Sequence, residues 1–173
     1  LTSSPSEEGD LLKPSSIYSP TKAAADLIAL SYYHTYNRDV IVTRCTNNFG
    51  PRQFPEKLIP VVVKKALANE KIPVYGTGEN IRQWIYVKDH CEKIFNVLKY
   101  GKGGEVYNLA PNYNGIENRS EINNINLVQE ILHINQGYQL DLPGLEKTFA
   151  DDLRYTIMWY KENESWWPQK SNN

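Results

Sequence analysis

Tyr18 and Lys22 stand four residues apart in Ile17-Tyr-Ser-Pro-Thr-Lys22. On a helix that spacing puts a phenol and an ammonium one turn apart on the same face. A neighbouring ammonium favours the phenolate, which is a usable base for a hydroxyl near neutral pH. The spacing is common, and Lys22 equally suits an i,i+4 ion pair with Asp26. A second group is Asn47-Asn48-Phe-Gly-Pro-Arg-Gln-Phe-Pro-Glu-Lys57-Leu58-Ile-Pro60. It follows the carboxyl end of a predicted strand, where open α/β sheets place ligands. Two adjacent amides offer donors and acceptors in different directions. Lys57, expected in the first turn of a helix, is placed to meet a phosphate together with the helix N-terminus. Turn formation by the asparagines and a solvated lysine account for the same residues. A third group is Pro73-Val-Tyr75-Gly-Thr-Gly78, followed by Arg82. Tyr75 offers an aromatic face and Arg82 a planar fork suited to a diphosphate. Gly76-Thr-Gly78 lacks the third glycine and the following helix of a dinucleotide fingerprint. The plainer account is a hairpin-like turn with Tyr75 and Trp84 in the core.

These residues need elements to hold them. Residues 1–17 are polar and rich in Pro and Ser, a loop. Ser19 and Pro20 read as N-cap and first helical residue of a helix from Thr21 to Tyr36, with Leu27, Ile28 and Leu30 toward the core. Asn37-Arg-Asp39 ends it. Val40 to Arg44 reads as a buried strand, 45–54 as loop, and Pro55 opens a helix to about Asn69 with Leu58, Ile59, Val62, Val63 and Leu67 as its apolar stripe. Val74-Tyr75 is a short strand, Arg82 to Val87 another, and Asp89 caps a helix to about Tyr100, stopped by Gly101-Lys-Gly-Gly104. A strand from Glu105 to Ala110 follows, then an Asn-rich loop over 111–123. Asn124 caps a helix to about Asn135, and a last helix runs from about Leu145 to Lys161. Trp166-Trp-Pro168 reads as C-terminal packing or tail. Strands alternating with helices predict an α/β fold with parallel pairing.

Composition sets the outer bounds. The chain has 173 residues, 40% hydrophobic and 23% charged, with net charge −1, which is globular composition. Residues 1–86 carry ten Lys/Arg against eight Asp/Glu, and the rest nine against twelve. A general nucleic-acid binder shows a basic excess, so any bound anion must be met by a few placed cations. No apolar run is long enough to span a membrane, and the first residues are not those of a signal peptide. The chain opens on Leu1 without an initiator Met, so the natural chain is expected to start earlier. Cys45 and Cys91 form no CxxC, and His34, His90 and His133 sit at no metal-ligand spacing, so no metal site is expected. Two buried thiols in a reducing cytoplasm are the expectation. The sequons at Asn118 and Asn163 are chance matches without a secretory signal.

Taken together, the stretches resemble the extended short-chain dehydrogenase/reductase family, the NAD-dependent epimerase/dehydratases, and within it the dTDP-glucose 4,6-dehydratases. The carriers are Pro14-Ser-Ser-Ile-Tyr18-Ser-Pro-Thr-Lys22-Ala-Ala-Ala-Asp26, Thr46-Asn-Asn-Phe-Gly-Pro, Phe54-Pro-Glu-Lys-Leu-Ile-Pro60, Ile81-Arg-Gln-Trp-Ile-Tyr-Val-Lys-Asp-His90 and Gly104-Glu-Val-Tyr-Asn108. The resemblance implies that Tyr18 is the active-site tyrosine and that Lys22 activates it and holds the nicotinamide ribose. Asn48 would lie on the NAD cofactor and Asn47 on the sugar nucleotide. Lys57, Leu58, Pro73, Tyr75, Arg82 and Asn124 would line the nucleotide diphosphate site. The implied reaction is an internal redox cycle on dTDP-glucose. Tyr18 takes the C4 hydroxyl proton as hydride passes to NAD+, water leaves across C5–C6, and the hydride returns to C6.

The resemblance further implies residues 1–48 as the tail of an NAD-binding Rossmann-like domain. Residues 49–173 would be mainly a substrate lobe, with about 86–110 crossing back to the first sheet. A homodimer is implied for the complete enzyme. The family's Gly-x-x-Gly-x-x-Gly loop and Thr-Asp-Glu motif do not occur in this chain. The Asp-Arg-Pro-Gly-His-Asp stretch expected before Leu142-Pro-Gly-Leu-Glu-Lys-Thr-Phe149 is also absent. The expectation is therefore the C-terminal half of such an enzyme with an internal deletion. Rival readings are another sugar-nucleotide epimerase or decarboxylase of the superfamily, and a non-catalytic nucleotide-sugar-binding module.

Overall fold

The computed structural model describes residues 7–13, 16–74, 76–111, 121–136 and 148–167. The expected strand at Tyr75, most of the Asn-rich loop and the first turn of the expected last helix lie outside these residues. The chain divides into two units, Leu1–Cys45 with His90–Ala110, and Thr46–Asp89 with Pro111–Asn173.

In the first unit, helix α1 spans Tyr18–Tyr36 and strand β1 spans Val42–Cys45. The helix starts earlier than Ser19. Ile17 is the N-cap residue and makes no side-chain cap bond; one residue earlier, the Ser16 hydroxyl accepts the Ser19 N–H at 3.3 Å. Asn37 ends α1 in the left-handed conformation (φ 50°), which asparagine tolerates. Its N–H bonds Tyr33 O at 3.0 Å and the Arg38 N–H reaches Tyr32 O at 3.4 Å, closing the helix as expected. Strand β1 runs parallel to β4, Val106–Leu109, with Val42 opposite Val106. The connecting helix α3 spans Val87–Tyr100 and follows its preceding strand without a loop. Asp89 therefore sits in the first turn rather than at the cap, where a carboxylate still suits the helix dipole. Gly101 stops it, donating to Val97 O at 2.7 Å.

The core expected around Leu27, Ile28 and Leu30 is not there. Leu27 and Ile28 are 64% and 60% exposed, Leu30 is half-buried, and no residue of α1 is buried. A helix buries its stripe only against a surface wide enough to cover it, and the sheet of this unit has two strands among the described residues. For the same reason β1 is not a buried strand: Val42 alone of its residues is buried. Cys45 and Cys91 are both exposed, against the expectation of buried thiols.

In the second unit, strand β2 (Asn47–Phe49) lies inside the stretch expected to be loop. It pairs parallel with β3 (Ile81–Tyr86), and β5 (Glu121–Asn123) pairs antiparallel on the other side of β3. The described helices of the unit are α2 (Leu58–Leu67), α4 (Asn124–Asn135) and α5 (Phe149–Glu162), with a short 3-10 turn at Glu164–Trp166. Helix α2 starts after Pro55, with Lys57 as its extended N-cap residue. Its stripe packs as expected, with Ile59, Val62 and Val63 buried and Leu58 and Leu67 against them. Asn123, not Asn124, caps α4, accepting the Asn126 N–H at 2.8 Å. Thr148 and Asp151 form a capping box at the start of α5. Val74 is not in a strand. The core joins Phe49 and Trp84 from the sheet to Ile59, Leu127, Ile131 and Leu153 from the helices. Trp167 is buried, its ring stacked on Tyr160 at 4.6 Å, so the tail packs as expected up to that residue. Pairing that is parallel in β1–β4 and β2–β3 makes the fold α/β, as predicted.

Candidate functional site

The predicted site residues fall into two groups, one in each unit. Tyr18 and Lys22 lie on the first turns of α1, both exposed. Lys22 is not matched to Asp26, whose carboxylate takes the Arg44 Nε at 2.9 Å. That pair ties α1 to β1 and leaves the lysine on the phenol's face.

In the second unit the sheet does the sorting. Asn47 stands opposite Trp84 and Asn48 opposite Ile85. Side chains alternate along a strand, and directly paired residues share a face. Asn47, Trp84 and Arg82 therefore occupy one face and Asn48 and Ile85 the other. Asn47 and Arg82 are exposed, and Asn48 is half-buried. Arg82 Nη1 donates to Ile81 O at 3.0 Å, and Arg82 registers with Ile122 of β5. Two residues beyond Ile122, Asn124 opens α4. Its N–H donates to Asn80 O at 3.2 Å, and its side-chain Oδ1 is buried without a partner among the described residues. A buried acceptor left open is uncommon in a finished core and common where a ligand or water completes it.

Lys57 and Leu58 mark the start of α2, Lys57 exposed and Leu58 half-buried against the core. Pro73 is exposed in the extended segment after α2. Tyr75 lies outside the described residues. The sheet thus gathers Asn47, Arg82 and, across β5, Asn124, whereas Lys57, Leu58 and Pro73 stand on separate segments of the same unit.

The loop from Gly50 to Glu56 joins β2 to α2, and residues not singled out in the sequence hold it. Gln53 Nε2 donates to Asn48 O at 2.8 Å. The hydroxyl of Tyr160, wholly buried in α5, faces Gly50 O at 3.3 Å and Gln53 O at 3.2 Å. Burial pushes that phenol up to about 12, so it stays a donor through the physiological range. Tyr160 is more than a hundred residues from its partners, so no local pattern could reveal it.

The residues 2–110 match the NAD dependent epimerase/dehydratase family, and the chain belongs to that family. Among curated proteins it is similar to a dTDP-glucose 4,6-dehydratase of Actinoplanes sp., 39% identical over 185 positions covering 92% of this chain and 56% of the relative. That aligned span exceeds this chain's 173 residues, so the relative carries residues within it that this chain does not have. Among solved structures it resembles a dTDP-glucose 4,6-dehydratase of Bacillus anthracis in complex with NAD, with TM-score 0.83 and 40% identity over 96% of this chain and 59% of that one. A Streptomyces venezuelae dTDP-glucose 4,6-dehydratase gives TM-score 0.81 at 36% identity, over 96% of this chain and 57% of that one. The chain spans about half the length of the curated relatives it matches.

Proposed function

We propose that this chain is the C-terminal part of a dTDP-glucose 4,6-dehydratase. Its first unit would be the tail of the NAD-binding domain and its second unit the nucleotide-sugar lobe. The observation that carries this reading is the strand register of the second unit. It puts Asn47 and Arg82 on one face of the sheet and Asn48 on the other, so adjacent amides serve two different ligands. In this reading Arg82 meets the diphosphate with its planar fork. Lys57, exposed at the N-cap of α2, adds a second positive charge beside that helix's N-terminus. Asn124, Leu58, Pro73 and Tyr75 line the rest, and Asn47 holds the sugar.

Toward NAD, the chain fits one end of the molecule. A phenol and an ammonium one turn apart on α1 suit ribose hydroxyls, and Asn48 supplies an amide. No Gly-x-x-Gly-x-x-Gly occurs in the sequence, so the residues here do not cradle the dinucleotide phosphates. When bound, NAD supplies the hydride acceptor. Tyr18, acting as the phenolate, takes the proton from the sugar C4 hydroxyl and becomes the neutral phenol, while Lys22 beside it holds the charge before the transfer and orients the ribose. A homodimer for the complete enzyme and a cytoplasmic setting belong to the same reading.

The test has two parts. The chain should bind dTDP, and Arg82→Ala should weaken binding about ten- to a hundredfold, the worth of hydrogen bonds to a charged group. In a chain that turns over dTDP-glucose with added NAD, Tyr18→Phe should cut product formation about 10²- to 10⁴-fold with dTDP affinity unchanged. Binding of dTDP with no binding of NAD favours the nucleotide-sugar-binding module. No dTDP binding at all refutes the reading.

A further inference from the structure

The geometry points to Tyr160 as a positioning residue for the segment Asn47–Lys57, held in place from the far end of the chain. The inference deepens the proposed function, since it rests on that segment meeting the nucleotide sugar. The hydroxyl of Tyr160 reaches two backbone carbonyls of one loop, Gly50 O at 3.3 Å and Gln53 O at 3.2 Å. Gln53 passes the constraint on, its Nε2 donating to Asn48 O at 2.8 Å. At the other end, the Lys57 N–H donates to Phe54 O at 3.0 Å. One phenol therefore sets the relation between the two amides on β2 and the first turn of α2.

Neighbouring residues reinforce the clamp. Arg52 is held in the left-handed conformation (φ 62°) with its guanidinium over the Trp159 ring at 5.4 Å. The Tyr160 ring is stacked on Trp167 at 4.6 Å and set edge-on to Trp159 at 5.2 Å. The ring thus serves the core and the hydroxyl serves the loop, so the two roles are separable. Thr46 Oγ1, just before the clamped stretch, and Gln53 Oε1, in its middle, are buried without partners among the described residues. A segment kept ordered with open polar atoms is shaped for more than its own stability.

The experiment uses the full chain with dTDP as probe, in calorimetry and in amide hydrogen exchange. Tyr160→Phe keeps the ring and removes only the hydroxyl. Its Kd for dTDP should rise about three- to tenfold, the net worth of one hydrogen bond, and the Gln53 and Lys57 amides should exchange faster. Ile131→Val, a buried change in α4, should lower Tm while leaving the Kd unchanged, which separates positioning from loss of stability. Gln53→Met cuts the tie one step nearer Asn48 without touching α5, and should raise the Kd in the same direction even if Tyr160→Phe does not fold. A wild-type Kd in both Tyr160→Phe and Gln53→Met, with loop exchange unchanged, overturns the inference. If the wild-type chain fails to bind dTDP, the nucleotide-sugar reading falls. The exchange arm then decides the clamp alone: faster loop exchange in Tyr160→Phe supports it, and unchanged exchange overturns it.

Discussion

Gly50 immediately follows β2 and sits where a side chain has no room. Its φ is +150°, and a Cβ there would meet Val87 Cγ1 at 2.6 Å and Tyr86 Cε2 at 3.2 Å. Gly50→Ala therefore incurs two costs. Backbone in this glycine-only region costs an L-residue about 1–3 kcal/mol. The clash requires Val87 or the strand to shift, and a β-branched valine has few rotamers to offer, so overpacking adds about 1–3 kcal/mol. The reduced freedom of the unfolded chain returns about 0.4–1 kcal/mol. The net loss is about 1–6 kcal/mol, a large share of the ~5–15 kcal/mol that holds a domain together. Gly76 is the internal control in the same unit: φ is +61°, but a Cβ would meet nothing within 4 Å. Gly76→Ala should cost only the left-handed strain, about 1–2 kcal/mol, less the same ~0.4–1 kcal/mol returned by the unfolded chain. Urea titrations followed by tryptophan fluorescence give both numbers. A Gly50→Ala midpoint no lower than that of Gly76→Ala would refute the reasoning, because the buried neighbours would then contribute nothing.

Thr148→Ala removes the capping box in which the Asp151 N–H donates to Thr148 Oγ1 at 3.3 Å and Asp151 Oδ2 accepts the Thr148 N–H at 2.9 Å; it should cost about 1 kcal/mol by urea denaturation. Arg44→Met breaks the 2.9 Å pair with Asp26 and should cost about 0.2–1 kcal/mol, shrinking in 1 M salt, as paired melts at low and high salt will show. Tyr160 ionises near 10 when unfolded and near 12 when folded. Its stabilisation is therefore complete below about pH 10 and lost as pH rises toward about 12; Tyr160→Phe should flatten that alkaline fall in urea midpoint. Glu8 is held below the ordinary carboxylate range chiefly by the Asn108 N–H that it accepts at 2.9 Å. This tether is present above the ordinary carboxylate value and released as pH falls through the depressed one, which the Asn108 amide resonance will report.

Local chemistry along the chain determined much of this protein. The apolar stripe Ile59, Val62 and Val63 had to face a core, because that spacing lies on one side of a helix. Asn37 and Gly101 had to stop helices, because one tolerates the left-handed conformation and the other lacks a side chain. Tyr18 and Lys22 came to share a face from their spacing alone. Helix starts were legible only to within a few residues: α1 begins at Tyr18 behind Ile17 rather than behind Ser19, and Asn123 rather than Asn124 caps α4, since neighbouring polar residues compete for the same N–H groups. Tertiary structure decided the rest. Leu27 and Ile28 carry the pattern of a buried stripe, yet burial requires a covering surface that the two strands among the described residues of this unit do not supply. The three residues of β2 were too short to read as a strand; pairing with β3 made them one, and its register assigned Asn47 and Asn48 to opposite faces. The clamp of Tyr160 on Gly50 and Gln53 joins residues more than a hundred positions apart, and such a contact exists only once the chain has closed on itself.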